Sequence, residues 1–415
     1  MHRFLLLENI LSLAALQAVN FMLSLAILPF LTRTLGVGAY GELVFAQIVV
    51  NYAIWTVNWG FYLGATQRIS SMRSNRMEIE RIFSETLFAQ LALTCIVIVI
   101  YLSLVMFLSR FDGLRPLYIV GVVLILGNTL QPIWFLNGFE YVKFATVLQI
   151  CSKMIAILVA FFFVRGPETS WIYLFALGGA TSLCGFISLW FIIKHLSIRI
   201  RYPSSSGVLS AILRDSNLFF SSILANVSST LVPAAIGFIG TSEALGVYNL
   251  ADRVRGAAVM VITPITHALF PRMCYLFSND RVHAVQMLKR SGLALFVLSI
   301  SISTCLIIFS SPILHFLGGE DFKTSAEVLK WLAFAPFLVT MNQFATHLII
   351  IPNLRSDIYV KVNLLSLAIA VTFLLPAIQR AGATGGALVT ILTEIVIMLV
   401  LWWYILRQRL LSLTV

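Results

Sequence analysis

The segment LFAQLALTCIVIVIYLSLVMFL (87–108) decides the fold class, because it contains no charged residue. A helix of that length extends about 33 Å, enough to cross a bilayer core of about 30 Å. Similar apolar runs recur along all 415 residues, and the chain is 60% hydrophobic and 11% charged. A soluble domain is about 45–50% apolar and about 25% charged. The sequence therefore predicts an all-α polytopic membrane protein, since a barrel would show short alternating segments instead.

Twelve spans are predicted, and no loop between them is long enough to form a soluble domain. They lie near 10–30, 43–63, 83–108, 115–136, 145–164, 171–193, 216–240, 245–271, 291–314, 328–351, 361–379 and 386–406. The first run is too long for the apolar core of a signal peptide, so it is retained as a span. Lys and Arg number 18 in one set of loops and 7 in the other, which predicts both termini in the cytoplasm. The net charge of +11 is thus assigned to topology and not to nucleic-acid binding.

Weak internal repeats divide the chain into two halves. TLGVGAYGELVFAQ (34–47) aligns with FIGTSEALGVYNLAD (238–252), and TQRI (66–69) falls opposite FPRM (270–273). YVK and GGA triplets also recur in the same order, with offsets between 204 and 218. We expect two six-helix lobes, 1–200 and 201–415, related by a pseudo-two-fold axis along the membrane normal. The implied mechanism is the rocking of two bundles about a central cavity.

Polar residues repeat at helical spacing in four of the predicted spans, which predicts a hydrophilic cavity. The stripes are Gln17, Asn20 and Ser24; Gln47, Asn51 and Asn58; Ser222, Asn226 and Ser229, with Pro233 on the same face; and Asn249, Asp252 and Arg255. The first two stripes lie on spans that correspond to the last two in the repeat. The alternative is hydrogen bonding between helices, which is worth about 0.6 kcal/mol for each such residue without any role in transport.

Five charged residues lie inside the predicted spans and away from the span ends: Lys153, Asp252, Arg253, Arg255 and Glu394. Each costs about 2.5–3.5 kcal/mol at the bilayer centre, although Asp252 and Arg255 are one turn apart and can pair. Three basic residues against two acidic ones predict an anionic cargo, because guanidinium groups bind phosphate oxygens. Glu394 can pair with a cation or carry a proton. The alternative is a set of internal ion pairs that hold helices in register.

Cofactor and catalytic motifs are not predicted. Five scattered cysteines lack metal or disulfide spacing and are interpreted as small apolar residues. The glycine pairs at 178–179 and 385–386 match no phosphate-binding loop and are predicted to permit close helix packing. His267 and His347 are interpreted as hydrogen-bonded packing residues.

Four segments resemble the Wzx-type O-antigen flippases, in the superfamily that includes the MATE exporters and the lipid II flippase. They are LPFLTRTLGVGAYGELVFAQ (28–47), NWGFYLGATQRIS (58–70), PIWFLNGFEYVKFATV (132–147) and GVYNLADRVRGAAVMVITPITHALFPRM (246–273). The resemblance extends over almost the whole chain and implies a MATE-like fold with a V-shaped cationic lumen. It also implies flipping of an undecaprenyl-diphosphate-linked oligosaccharide from the inner to the outer leaflet of the bacterial inner membrane.

The resemblance completes the set of candidate site residues. Family members commonly carry a basic residue at Lys153 and an arginine at Arg255, whereas Asp252 and Arg253 depart from the family pattern. The candidate substrate-binding residues are Lys153, Arg255, Asp252, Arg253, Arg33, Gln47, Asn51, Gln67, Arg68 and Arg272. Glu394 and Asp252 are the candidates for coupling to a proton or sodium ion. Membrane lipids, an O-antigen polymerase and a chain-length regulator are the other expected partners.

Two other functions remain open at the level of sequence. A MATE-type drug exporter usually needs carboxylates for cationic cargo, and the basic excess here disfavours it. A membrane O-antigen polymerase or glycosyltransferase generally needs a sizeable extramembrane loop. The longest predicted outside loop, 315–327, is too short to enclose a substrate alone.

Overall fold

The computed structural model describes residues 16, 18–73, 75–408 and 410, and every regular element among them is a helix. The described residues contain ten helical segments, some of them made of more than one helix, that are long and apolar enough to cross a membrane. The predicted all-α membrane fold is therefore confirmed. Residues 1–15 and Gln17, which belong to or precede the first predicted span, lie outside the described residues.

The chain divides into two compact units, Met1–Leu231 and Val232–Val415. The helices of the first unit are α1 (18–26), α2 (Leu28–Asn58), α3 (Phe61–Ser71), α4 (Arg76–Phe107), α5 (Arg115–Thr129), α6 (Ile133–Gly138), α7 (Val142–Phe163), α8 (Ser170–Trp190) and α9 (Ser205–Arg214). Helix α10 (Ser216–Ile239) begins in the first unit and ends in the second. The predicted lobes, 1–200 and 201–415, stay a prediction.

The second unit is built from six further α-helices. They are α11 (Ser242–Asn279), α12 (Arg281–Ile308), α13 (Ser310–Gly318), α14 (Lys323–Leu332), α15 (Ala335–Gln343) and α16 (Ser356–Arg407). Between α15 and α16, Phe344–Ile350 forms a π-helix. Such widened turns are rare and occur frequently at functional sites.

Two of the ten candidate spans, Leu28–Ser71 and Val360–Arg407, are 44 and 48 residues long. Leu28–Ser71 contains two glycines with a positive φ, Gly36 at 70° and Gly60 at 77°, and Val360–Arg407 contains one, Gly382 at 52°. The helical backbone is interrupted at each of them. Glycine is the residue that adopts such angles without steric cost. Gly36 lies between the predicted spans 10–30 and 43–63, and the residues on either side of it are helical. The count of twelve spans stays a prediction.

Each unit has its own apolar core. A core in the first unit includes Phe61, Phe83 and Phe135, and one in the second includes Met273, Leu348 and Leu401. The predicted packing role of the glycine pairs is confirmed at Gly178 and Gly386. A Cβ at Gly178 would lie 2.7 Å from the Leu124 backbone nitrogen, and one at Gly386 would lie 2.7 Å from Ile236 Cδ1.

Candidate functional site

Arg255 and Asp252 form an ion pair on α11. The Nε atom of Arg255 donates to Oδ1 of Asp252 over 2.6 Å, and both side chains are partly buried. Residues three apart share one helical face, so the contact follows directly from their spacing. A guanidinium has five N–H donors, and in the described part of the chain only Nε of Arg255 has a hydrogen-bond partner. The remaining donors are available to a ligand.

Glu394 lies on α16 and is held by Asn342 of α15. The Nδ2 atom of Asn342 donates to Oε2 of Glu394 over 2.7 Å and also contacts its backbone oxygen at 3.1 Å. Among the described residues no cation lies within ion-pair distance of Glu394, but it is close enough to Arg255 for their charges to interact. Tyr248 and Thr390 share a hydrogen bond of 3.1 Å between the same two helices, α11 and α16. The second unit thus brings one guanidinium, two carboxylates and an amide together inside apolar helices.

Arg253 follows Asp252 on α11 but projects from another face of the helix. It is partly buried, and within the described ranges no hydrogen bond or ion pair is found for its guanidinium. The structure therefore separates Arg253 from the Arg255–Asp252 pair.

Lys153, on α7, contacts the polar stripe of α1. Its Nζ atom donates to Ser24 Oγ over 2.9 Å and to the Asn20 backbone oxygen over 3.2 Å. Gln17, the third member of that stripe, lies outside the described residues. The first unit therefore has a partly buried cation, on an apolar helix, to which neutral oxygens are bound.

Arg68, on α3, is bound by Asp215 at the start of α10. Two parallel hydrogen bonds of 2.6 and 2.9 Å join the guanidinium to the carboxylate, which is 2% exposed. A Cβ at Gly64 would lie 2.3 Å from Oδ1 of Asp215, so only glycine leaves room for this pair. Nearby, Trp59 stacks on Phe219 with ring centroids 4.0 Å apart. The NWGFYLGATQR segment is therefore a docking platform for the chain that follows α9.

Gln67 lies beside Arg68 but faces elsewhere. It is exposed and lines a cleft of about 640 Å³ together with Thr66, Ser70 and Asn137. The cleft joins two of the motifs on which the family resemblance depends, GATQ and PIWFLNG. It belongs entirely to the first unit.

Arg272, at the far end of α11, is exposed and lies over the Tyr275 ring, with its guanidinium carbon 5.4 Å from the centroid. It lines a second cleft of about 720 Å³ in the second unit. Three other predicted residues lie on α2: Arg33 and Asn51 are exposed, and Gln47 is partly buried. The role of every predicted residue in binding stays a prediction.

Several buried polar groups escape sequence reasoning. Glu42, 7% exposed, accepts from Arg110 over 3.1 Å and from the Tyr118 hydroxyl over 2.7 Å. The sequence likewise does not predict the buried roles of Asp215 and Asn342. For Glu42 a signal existed, since it is an acidic residue immediately before a predicted span. For Asp215 and Asn342 the partners are 147 and 52 residues away, and no local spacing reveals them.

Among the described residues, no cluster of three or more His, Cys, Asp or Glu has the arrangement of a metal site. The features found are instead ionisable groups buried along apolar helices, which mark substrate or ion pathways in membrane proteins. Together with the all-helical fold they define the class: a multi-pass membrane transporter.

Comparisons with known proteins place this transporter in a family. The chain belongs to the polysaccharide biosynthesis protein family, whose model matches residues 6–277. Two relatives are each named "Putative O-antigen transporter": one from Escherichia coli (strain K12) is 26% identical, with 97% of each chain covered. The other, from Shigella dysenteriae, is 22% identical and covers 94% of this chain and 98% of its own.

Solved structures share the fold. Lipid II flippase MurJ in an inward closed conformation has a TM-score of 0.71 at 16% identity, covering 95% of this chain and 87% of its own. An inward-facing multidrug resistance MATE family transporter has a TM-score of 0.66 at 14% identity, covering 95% and 96%. The predicted MATE-like fold is confirmed, and the chain is a transporter and not a polymerase or glycosyltransferase.

Proposed function

We propose that this protein flips an undecaprenyl-diphosphate-linked O-antigen oligosaccharide from the cytoplasmic to the periplasmic leaflet of the bacterial inner membrane. The observation that carries the proposal is Arg255: a partly buried guanidinium, on an apolar helix, with donors left open beside its one hydrogen-bonded nitrogen. The O-antigen transporters among the relatives support the choice of cargo.

Asp252 pairs with Arg255 when no cargo is bound. It neutralises Arg255 through Nε alone, which limits the cost of an unpaired charge in the membrane. A diphosphate carries more charge and more acceptor oxygens than one carboxylate, and it can bind the terminal guanidinium nitrogens as a fork. The diphosphate therefore competes with Asp252 for Arg255 without first needing an empty, unpaired cation.

Lys153 is the second proposed phosphate contact. Its ammonium group donates to neutral oxygens of Ser24 and Asn20, and an ammonium group also binds phosphate oxygens. Glu394 is proposed to take up the coupling ion, a proton or sodium, because Asn342 leaves one carboxylate oxygen free. Its charge interacts with that of Arg255, which would link ion uptake to the cargo site. Both termini are proposed to lie in the cytoplasm, and the oligosaccharide is proposed to pass to an O-antigen polymerase and chain-length regulator.

The experiment is complementation of a deletion strain with Arg255→Ala, Arg255→Lys and Lys330→Ala, followed by gel analysis of surface O-antigen. We expect Arg255→Ala to reduce export at least about tenfold, since charge-assisted hydrogen bonds contribute about 1.5–3 kcal/mol. Arg255→Lys keeps the charge and should lose less. Lys330 is exposed and remote from Arg255 in sequence, so its variant should export normally.

Lipid-linked repeat units should meanwhile accumulate at the inner leaflet of the Arg255→Ala strain. Full export by that variant at normal protein level would remove Arg255 from the phosphate site. If single repeat units still reach the surface in the deletion strain, the flippase proposal itself is overturned.

A further inference from the structure

The internal repeat pairs Arg68 of α3 with Arg272 of α11, through TQRI (66–69) and FPRM (270–273). The two arginines differ in their partners. Arg68 is bound by the buried carboxylate of Asp215. Across the described residues, no carboxylate lies within 4 Å of the Arg272 guanidinium, which rests on the Tyr275 ring. The first repeat therefore pairs its arginine with a carboxylate of the same chain, whereas the second leaves the equivalent arginine without one among the described residues.

A built cleft surrounds Arg272. It has a volume of about 720 Å³, lies between α11 and α12, and also contains the guanidinium of Arg290. In the described part of the chain Arg290 likewise has no ion-pair partner. The lining also includes three neutral side chains that can form hydrogen bonds: Asn279, Gln286 and Ser291.

The one carboxylate in the lining, Asp280, is already engaged. It caps the first turn of α12 by accepting from the His283 backbone nitrogen over 3.1 Å, and it contacts Nδ1 of the same residue at 2.6 Å. These hydrogen bonds lower the pKa of Asp280, so it is a carboxylate at neutral pH. Two free guanidinium groups against one committed carboxylate leave the cleft positive.

We infer that this cleft is a second anion site, which binds the phosphate group of a membrane lipid through Arg272 and Arg290. Planar guanidinium groups match phosphate oxygens in bidentate fashion, and a ring stacked under Arg272 fixes its orientation. The amides and the hydroxyl suit the hydroxyl groups of a sugar or glycerol attached to the phosphate. The cleft is formed by residues of the second unit alone.

The site is separate from Arg255. Arg272 follows Arg255 by 17 residues on α11, which corresponds to about 25 Å along the helix. In the predicted topology this end of α11 faces the cytoplasm. A headgroup that arrives in the inner leaflet would meet Arg272 and Arg290 before it reaches Arg255; this order rests on the proposed function, whereas binding of a lipid phosphate does not.

The test is native mass spectrometry of the full-length protein from neutral phosphatidylcholine nanodiscs. The probes are undecaprenyl diphosphate, phosphatidylglycerol and inorganic pyrophosphate, each titrated separately. All proteins carry Arg255→Ala, so that binding reports the cleft. Onto this background we place Arg272→Gln with Arg290→Gln, the charge-keeping pair Arg272→Lys with Arg290→Lys, and Lys289→Gln as the neighbouring control.

We expect the glutamine pair to weaken binding of at least one lipid probe about tenfold or more, the lysine pair to keep most of it, and Lys289→Gln to change nothing. If the glutamine pair weakens binding of undecaprenyl diphosphate, the cargo is the ligand of the cleft. If it weakens binding of phosphatidylglycerol alone, the ligand is membrane phospholipid. Either result supports the site. Lipid binding that the glutamine pair leaves unchanged overturns it. Binding of free pyrophosphate as tightly as either lipid overturns the assignment to a lipid-borne phosphate.

These outcomes separate the two proposals. If Arg255→Ala loses export but the glutamine pair leaves lipid binding unchanged, only the proposed lipid-phosphate site in the cleft is overturned. If Arg255→Ala exports normally but the glutamine pair loses lipid binding, only the proposed phosphate contact of Arg255 is overturned.

Discussion

Replacing Gly64 by alanine tests whether the close approach of Asp215 holds the start of α10 on α3. The added Cβ would lie 2.3 Å from Oδ1, 2.6 Å from Cγ and 2.8 Å from Oδ2 of Asp215. These distances are too short for any real contact, so the carboxylate must move. It cannot move without losing the two hydrogen bonds to Arg68, and it is almost fully buried.

The expected cost lies between two limits. Overpacking a well-packed site costs about 1–3 kcal/mol. Complete loss of a buried ion pair costs about 3–5 kcal/mol, and the 20% exposure of Arg68 puts this pair below that range. We therefore expect a loss of about 2–3 kcal/mol in the free energy of unfolding.

Thermal unfolding in detergent measures the change, with Gly179→Ala as the matched control. Gly179 also lies on a helix of the first unit, α8, and a Cβ there would meet no atom within 4 Å. Gly64→Ala should melt several degrees below wild type, and Gly179→Ala should not. In the double variant Gly64→Ala with Asp215→Ala the two losses should not add, because the carboxylate that clashes is gone. Equal melting of the two glycine variants would refute the reasoning.

Three further outcomes are expected. Tyr118→Phe removes a donor from buried Glu42 and should lower the free energy of unfolding by about 1–3 kcal/mol in the same melting assay, and an unchanged melting temperature would contradict it. Lys153→Ala should impair O-antigen export while Lys153→Arg retains more of it, and equal export by both would remove the charge requirement. Glu394→Gln can still accept from Asn342, so it should fold normally yet change how export responds to external pH or sodium; an unaltered response would exclude Glu394 as the coupling residue.

Features that depend on composition or local spacing could be predicted from the sequence. Apolar runs longer than a bilayer core can only be membrane helices, and this prediction is confirmed. The Asp252–Arg255 contact follows from a three-residue spacing on one helix, and it is present. Gly178 and Gly386 pack closely because a residue without Cβ lets helices approach.

Features that depend on long-range packing could not be predicted. Helical phase shows which residues share a face, but not which helix that face meets. Lys153 was predicted as a lumen cation, and the structure places it against Asn20 and Ser24, more than 120 residues away in the chain. Arg68 is likewise predicted to contact substrate, whereas the structure pairs it with Asp215, which lies 147 residues away in the chain.

The stretch NLADRVRG (249–256) places Asp252 and Arg255 in an ion pair on a single helix. An unpaired guanidinium within an apolar helix costs about 2.5–3.5 kcal/mol, so a permanently open phosphate site would burden the empty transporter. Asp252 offsets much of this cost by holding Arg255 through one nitrogen, and it does so from its own helix, without fixing α11 to a neighbour. A partner on another helix, such as Asp215 for Arg68, would instead tie two helices together. An intrahelical pair therefore lowers the free-energy cost of the buried cation and still lets α11 move relative to its neighbours. A transporter that binds and then releases its cargo needs both properties.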